Sequence, residues 1–140
     1  MNGSPNARSG VRFLWAGLLA GLVAAVVNII VYLVMINAGG YAWAFVVAFS
    51  ILIASLLPNL LAAALYFILT RLTPRWAWPL LAVGVVLFVL VSVLPHLGIG
   101  PAPSPALAAL PEGFDLVTVP LHVVFGLTAI TVMPWLVTRP

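Results

Sequence analysis

The sequence predicts an all-α polytopic membrane protein, a four-transmembrane-helix bundle with both termini cytoplasmic. Three observations predict it. Of 140 residues, 65% are hydrophobic and 5% charged, whereas a soluble domain carries about a quarter charged residues. Four apolar runs each reach the roughly 20 residues needed to cross a hydrocarbon core, which leaves no room for a soluble domain. The arginines fall on one side of a four-span thread and both acids on the other, as expected if the arginine side is cytoplasmic.

Residues 1–10, rich in Asn, Ser, Gly and Pro, have the composition of a disordered cytoplasmic tail, and 11–140 form a single transmembrane domain. The first span covers about 13–36. At about 24 residues it exceeds the 7–15 of a signal-peptide core and reads as a retained span. A short turn follows, and the second span covers about 43–69, closed by Arg71, Pro74 and Arg75. The third runs over 76–97. An outer loop, 98–115, contains Pro101, Pro103, Pro105 and Pro111, and Ser104-Pro105 has the form of a helix N-cap and first turn. The fourth span covers 116–137. Trp15, Trp76, Trp78 and Trp135 mark the inner boundary and Tyr41 and Trp43 the outer one.

The charges are Arg8, Arg12, Arg71, Arg75 and Arg139 against Glu112 and Asp115. Arginines scattered over three segments form no stripe that could follow a phosphate backbone, so nucleic acid is not an expected partner. The absence of cysteine excludes disulfides and thiolate chemistry. No intramembrane carboxylate is available for acid–base work, and no serine has a histidine and an acid in a recognisable arrangement, so no catalytic residues and no enzyme are expected.

Polar and small residues inside the spans carry what remains. Gly17 and Gly21 form a GxxxG ridge continued by Ala24 or Ala25 and Asn28, a face that packs closely on another helix of the chain or forms a homodimer seam. Counting 1.5 Å per residue puts Asn28 roughly 5 Å and Ser55 about 2 Å outside the bilayer midplane, so the two can hydrogen-bond. Pro58 removes a backbone bond in mid-span and frees the carbonyl of Ala54, predicting a kink whose exposed group Asn59 or Ser55 satisfies. Thr131 and Pro134 repeat the theme on the fourth span.

Asp115, Thr118, His122, Gly126, Ala129 and Met133 recur at spacings of three and four, hence on one face pointing into the bundle. His122 falls roughly 7 Å and His96 about 13 Å outside the midplane. With spans three and four adjacent, Asn28, Ser92, His96, Thr118 and His122 can line one outward-facing polar pocket, with Glu112 and Asp115 at its mouth. The alternatives there are hydrogen-bonded structural histidines, a ligand or transport site, and a metal site. Metal sites usually need three or four ligands, so no metal or cofactor is expected, His96 and His122 being the sole candidates.

Pro95-His96, the proline-rich loop and Leu121-His122-Val123-Val124 together resemble a family of small bacterial four-span membrane proteins of unknown function, over about residues 12–138. The resemblance implies four spans and a recurrent histidine at His122, and no substrate, cofactor or activity. Two functions follow as expectations. One is a non-enzymatic accessory or scaffolding subunit in the cell membrane, whose partners are lipid and a larger membrane protein or further copies of itself. The other is a small transporter or ligand-binding protein using the pocket around His122 and His96.

Overall fold

Away from water, every backbone N–H and C=O must find a partner within the chain, so long apolar runs become helices whatever their β-branched content. The computed structural model describes residues 10–40, 45–99 and 115–139, with backbone alone at 46, 115 and 116. Helix α1 is Gly10–Gly39, α2 Phe45–Leu72 and α3 Ala77–Val93, the last continued by a 3-10 turn, Leu94–Leu97. The fourth span comprises α4, Asp115–Ile130, and α5, Val132–Thr138. Counting α3 with its 3-10 turn and α4 with α5, four segments are long and apolar enough to cross a membrane. Residues 1–9, 41–44, 100–114 and 140, among them Arg8, Tyr41, Trp43, Glu112 and the Ser104-Pro105 turn, lie outside the described residues.

The interruptions have local causes. Pro95 has no N–H to offer the carbonyl of Val91, so α3 tightens into the 3-10 turn. That turn ends at Gly98, whose φ of 73° is open to glycine, with Gly98 N–H donating to Pro95 O at 3.1 Å and Ile99 N–H to Leu94 O at 2.9 Å. Pro134 likewise cannot donate to Ile130 O, and the fourth span breaks at Thr131 where one helix was expected over 116–137.

The helices run up and down. Phe13, near the start of α1, stacks on Tyr66 and Phe67 near the end of α2, with ring centroids 5.7 and 5.3 Å apart. Helix α1 packs most extensively on α2 and also on α4 and α5, while α3 packs on α2 and α4. One apolar cluster, including Phe13, Ala63, Tyr66, Leu81, Ala129 and Met133, fills the end where α1 begins. A smaller one, Tyr32, Ile36, Ile51 and Val117, fills the opposite end. Arg12, Arg71, Arg75 and Arg139 follow the thread to the first of these ends. There Arg71 lies 4.8 Å over the Phe67 ring and Arg139 3.3 Å over Trp135, which lets each cation keep its solvent-facing side while covering an aromatic face.

Among the aliphatic residues, burial sorts largely by size. Ala16, Ala20, Ala24, Ala25, Ala62, Ala63, Ala77 and Ala129 are buried, whereas Leu19, Val26, Leu57, Leu61, Val83, Leu87 and Leu127 are exposed. Small residues bring backbones together, which is how helices gain contact where the surroundings are as apolar as they are. A Cβ built on Gly17 would lie 2.6 Å from Ala63 Cβ and 2.9 Å from Asn59 O, and one on Gly21 3.0 Å from Leu56 Cα. At Gly126 it would lie 2.8 Å from Val89 Cγ2 of α3.

Candidate functional site

Two polar groups occupy the bundle, and α4 connects them. The first sits between the two apolar clusters, on α1 and α2. Asn28 donates through Nδ2 to Ser55 Oγ at 3.1 Å and to the carbonyl of Leu121 on α4 at 3.2 Å, so one amide ties three helices. Asn59 donates through Nδ2 to Ser55 O at 2.9 Å. Asn28, Ser55 and Asn59 are all buried.

Helix α2 continues through Pro58 without interruption. The expectation that Asn59 or Ser55 would satisfy the carbonyl of Ala54 needs correction. A helical side chain leans back toward the preceding turn, and four residues before Asn59 stands Ser55, whose carbonyl takes the amide. The Ser55 hydroxyl receives Asn28 instead, while Ala54 is exposed on another face.

The second group lies at the end of the bundle opposite the arginines. His96, on the 3-10 turn, and His122, on α4, face each other with ring centroids 5.6 Å apart and planes tilted by 46°. Both are half-buried. His122 Nδ1 is 2.8 Å from Thr118 O. A carbonyl only accepts, so Nδ1 donates to it. Leu121, whose carbonyl receives Asn28, precedes His122 directly, so the two groups share one turn of α4.

Of the other residues read as pocket lining, Ser92 returns its hydroxyl to Phe88 O of its own helix at 2.8 Å. Thr118 contributes its carbonyl to His122. Asp115 opens α4, but its side chain, like Glu112, falls outside what is described. Gly126 is buried against α3 and Met133 and Pro134 are buried further along the same span. Among the described residues no three His, Cys, Asp or Glu gather to hold a metal ion.

Two features escaped the reading of the sequence. Trp78 donates through Nε1 to Ile130 O at 3.0 Å, the carbonyl that Pro134 leaves without an i+4 donor. Asking of each proline which carbonyl it frees would have pointed to Ile130, though not to its donor. Pro120, inside α4, frees Leu116 O by the same rule and was visible as Val-Pro-Leu-His.

The arrangement defines the chain by class as an all-helical protein with four candidate membrane-spanning segments, a buried amide cluster and a histidine pair at one end. Compared with protein-family models, curated proteins and solved structures, the chain matches none.

Proposed function

We propose that the protein is a non-enzymatic, multi-pass protein of the cell membrane, with both termini cytoplasmic, that serves as an accessory or scaffolding subunit of a larger membrane assembly. The arginine end is the cytoplasmic end in this reading, because short cytoplasmic segments accumulate Arg and Lys. A relation to the small bacterial four-span proteins belongs to the same reading.

The observation that carries it is the engagement of α3. This helix buries only Ala77, Leu81 and Val85 and presents Leu80, Val83, Val86, Leu87, Phe88, Leu90 and Val91 outward. A Cβ on Gly84, among them, would meet nothing within 4 Å, so the exposed ridge contains a notch of the kind through which membrane helices approach closely. A transmembrane helix of a partner protein is its occupant. Gly84→Ile fills the notch from a Cβ that meets nothing within 4 Å. The expected outcome is loss of a stoichiometric partner from mild-detergent purifications, with an unchanged melting temperature. A clean monomer from native membranes, or a partner retained by Gly84→Ile, overturns the proposal; a seam between copies of the chain would appear as a dimer by mass.

The histidine pair favours a second reading, an outward-facing site for a small ligand, metal or transported solute. It rests on the half-buried imidazoles 5.6 Å apart. Under it, His122→Ala removes a bound ligand or a flux from a protein that still folds. Normal folding with nothing lost refutes it.

A further inference from the structure

We infer that the arginine end of the bundle is a docking surface for anionic phospholipid, whose phosphates bind at Arg71 and Arg139 and whose acyl chains cover the apolar rim beside them. The inference rests on the reading of the chain as a multi-pass membrane protein and is independent of the accessory role.

One device occurs there twice. Arg71 stands four residues after Phe67, in the last turn of α2, and Arg139 four residues after Trp135, at the end of α5, so each arginine lies one helical turn beyond an aromatic ring. The guanidinium carbon of Arg71 is 4.8 Å from the centre of the Phe67 ring, and that of Arg139 is 3.3 Å from the centre of Trp135. A guanidinium meets a ring with its face and a phosphate with its edge, where its N–H donors match two oxygens at once. The ring therefore holds each cation in place without using the edge that an anion needs.

The chain offers these arginines no carboxylate side chain. Its acids are Glu112 and Asp115. Asp115 opens α4, at the far end of the span that Arg139 closes, and Glu112 is three residues before it in the chain. Arg12 and Arg75 add further positive charge at the arginine end. The potential there is uncompensated from within and draws anions.

The surface beside the arginines selects what carries the anion. Leu72, directly after Arg71, is 73% exposed, and Trp135, under Arg139, is 49% exposed. Free phosphate would meet the guanidinium groups and leave this apolar rim bare, whereas a lipid meets both. Tryptophans at the ends of spans lie at headgroup level, which is the depth of the lipid phosphate. A zwitterionic lipid brings its own cation to an end that is already positive, so the preference is for lipids of net negative charge.

Trp15, Trp76, Trp78 and Trp135 are exposed on the segments that meet at this end. Quenching of tryptophan fluorescence by lipids brominated on their acyl chains therefore tests the inference on the full chain in bilayers. Brominated phosphatidylglycerol is expected to bind the wild type at least about fivefold better than brominated phosphatidylcholine, the worth of one arginine at an anionic surface. The preference should fall toward equality in the variant carrying Arg71→Gln and Arg139→Gln. Both side chains are exposed, so the fold should survive; if the double variant fails to fold, each single variant is expected to lower the preference in part. Equal quenching of the wild type by the two lipids, or a preference that the substitutions leave intact, overturns the inference while the membrane reading stands. Absence of quenching by either lipid overturns both. A preference abolished by millimolar inorganic phosphate, but not by sodium chloride of equal ionic strength, also overturns the inference, because the occupant would then be free phosphate.

Discussion

Gly17→Ala adds one methyl group where the bundle has least space. The new Cβ would stand 2.6 Å from Ala63 Cβ, 2.9 Å from Asn59 O and 3.3 Å from Leu60 Cα, against an ordinary contact of 3.4–4 Å. None of these atoms sits at the end of a rotatable side chain, so relief requires α1 to withdraw from α2 by roughly 1 Å, a gap that forfeits up to half of each dispersion well. With roughly 20 atom pairs across the local seam at about 0.15 kcal/mol each, the loss is about 1.5 kcal/mol, within the usual overpacking range of about 1–3 kcal/mol. Reversible unfolding of the purified protein in mixed micelles by added SDS reads this as a lowered midpoint. Combining Gly17→Ala with Ala63→Gly removes the worst contact but leaves Asn59 O, so the double variant recovers about 1 kcal/mol relative to the sum of the singles. Gly84→Ala, with nothing within 4 Å of the new atom, is the control: it should be neutral, or stabilising by up to about 1 kcal/mol through helix propensity. A Gly17→Ala variant within about 0.5 kcal/mol of wild type would refute the reasoning, since the seam would then be yielding where backbone contacts should make it stiff.

Three further outcomes follow from the hydrogen bonds and from the packing of Gly126. Ser55→Ala should cost about 0.6 kcal/mol, the mean for a polar contact between membrane helices, and Asn28→Ala more, about 1–2 kcal/mol, because it severs links to both α2 and α4; equal losses in SDS titrations would contradict the three-helix role of Asn28. Trp78→Phe should cost about 1 kcal/mol by stranding Ile130 O, and the loss should shrink toward zero in a Pro134→Ala background, where residue 134 regains an N–H for that carbonyl; additive effects in the double-variant cycle would show that the indole acts elsewhere. Gly126→Leu should disturb the contact with Val89 of α3, lowering the unfolding midpoint and raising solvent or lipid labelling of cysteines introduced along α3; labelling unchanged from wild type would show that α3 is held by other contacts.

The four candidate spans were legible because a helix long enough to cross a membrane needs an apolar run of matching length, and apolar runs separated by Arg71-Pro74-Arg75 or by a proline-rich stretch are hard to misplace. Counting residues also placed Asn28 and Ser55 at neighbouring depths, and they are hydrogen-bonded. The third partner, Leu121, was not legible, since it contributes a carbonyl and every residue has one. The same limit hid the acceptor of Trp78, whose position at a helix start reads equally well as a membrane-boundary aromatic. The pairing of His96 with His122 required the 3-10 turn at Pro95 and the contact between α3 and α4; adjacency in the chain suggested only the second. Pro58 shows the opposite failure: the rule identified the freed carbonyl of Ala54 correctly, and side-chain direction then assigned Asn59 to the carbonyl one residue on.

The inversion of size, with most alanines inside and most leucines and valines outside, changes what a mutation means in this chain. Hydropathy hardly differs between the two faces of a helix, so it cannot tell the chain which face to turn inward; volume can. Exchanging Leu57 or Leu61 for another large aliphatic should pass unnoticed, while Ala20→Leu, conservative by polarity, should be among the most damaging changes available. A saturation scan of α1 and α2 scored for folding should therefore track the added side-chain volume at Ala16, Gly17, Ala20, Gly21 and Ala63 and be nearly blind to hydrophobicity, the reverse of the pattern in a water-soluble bundle.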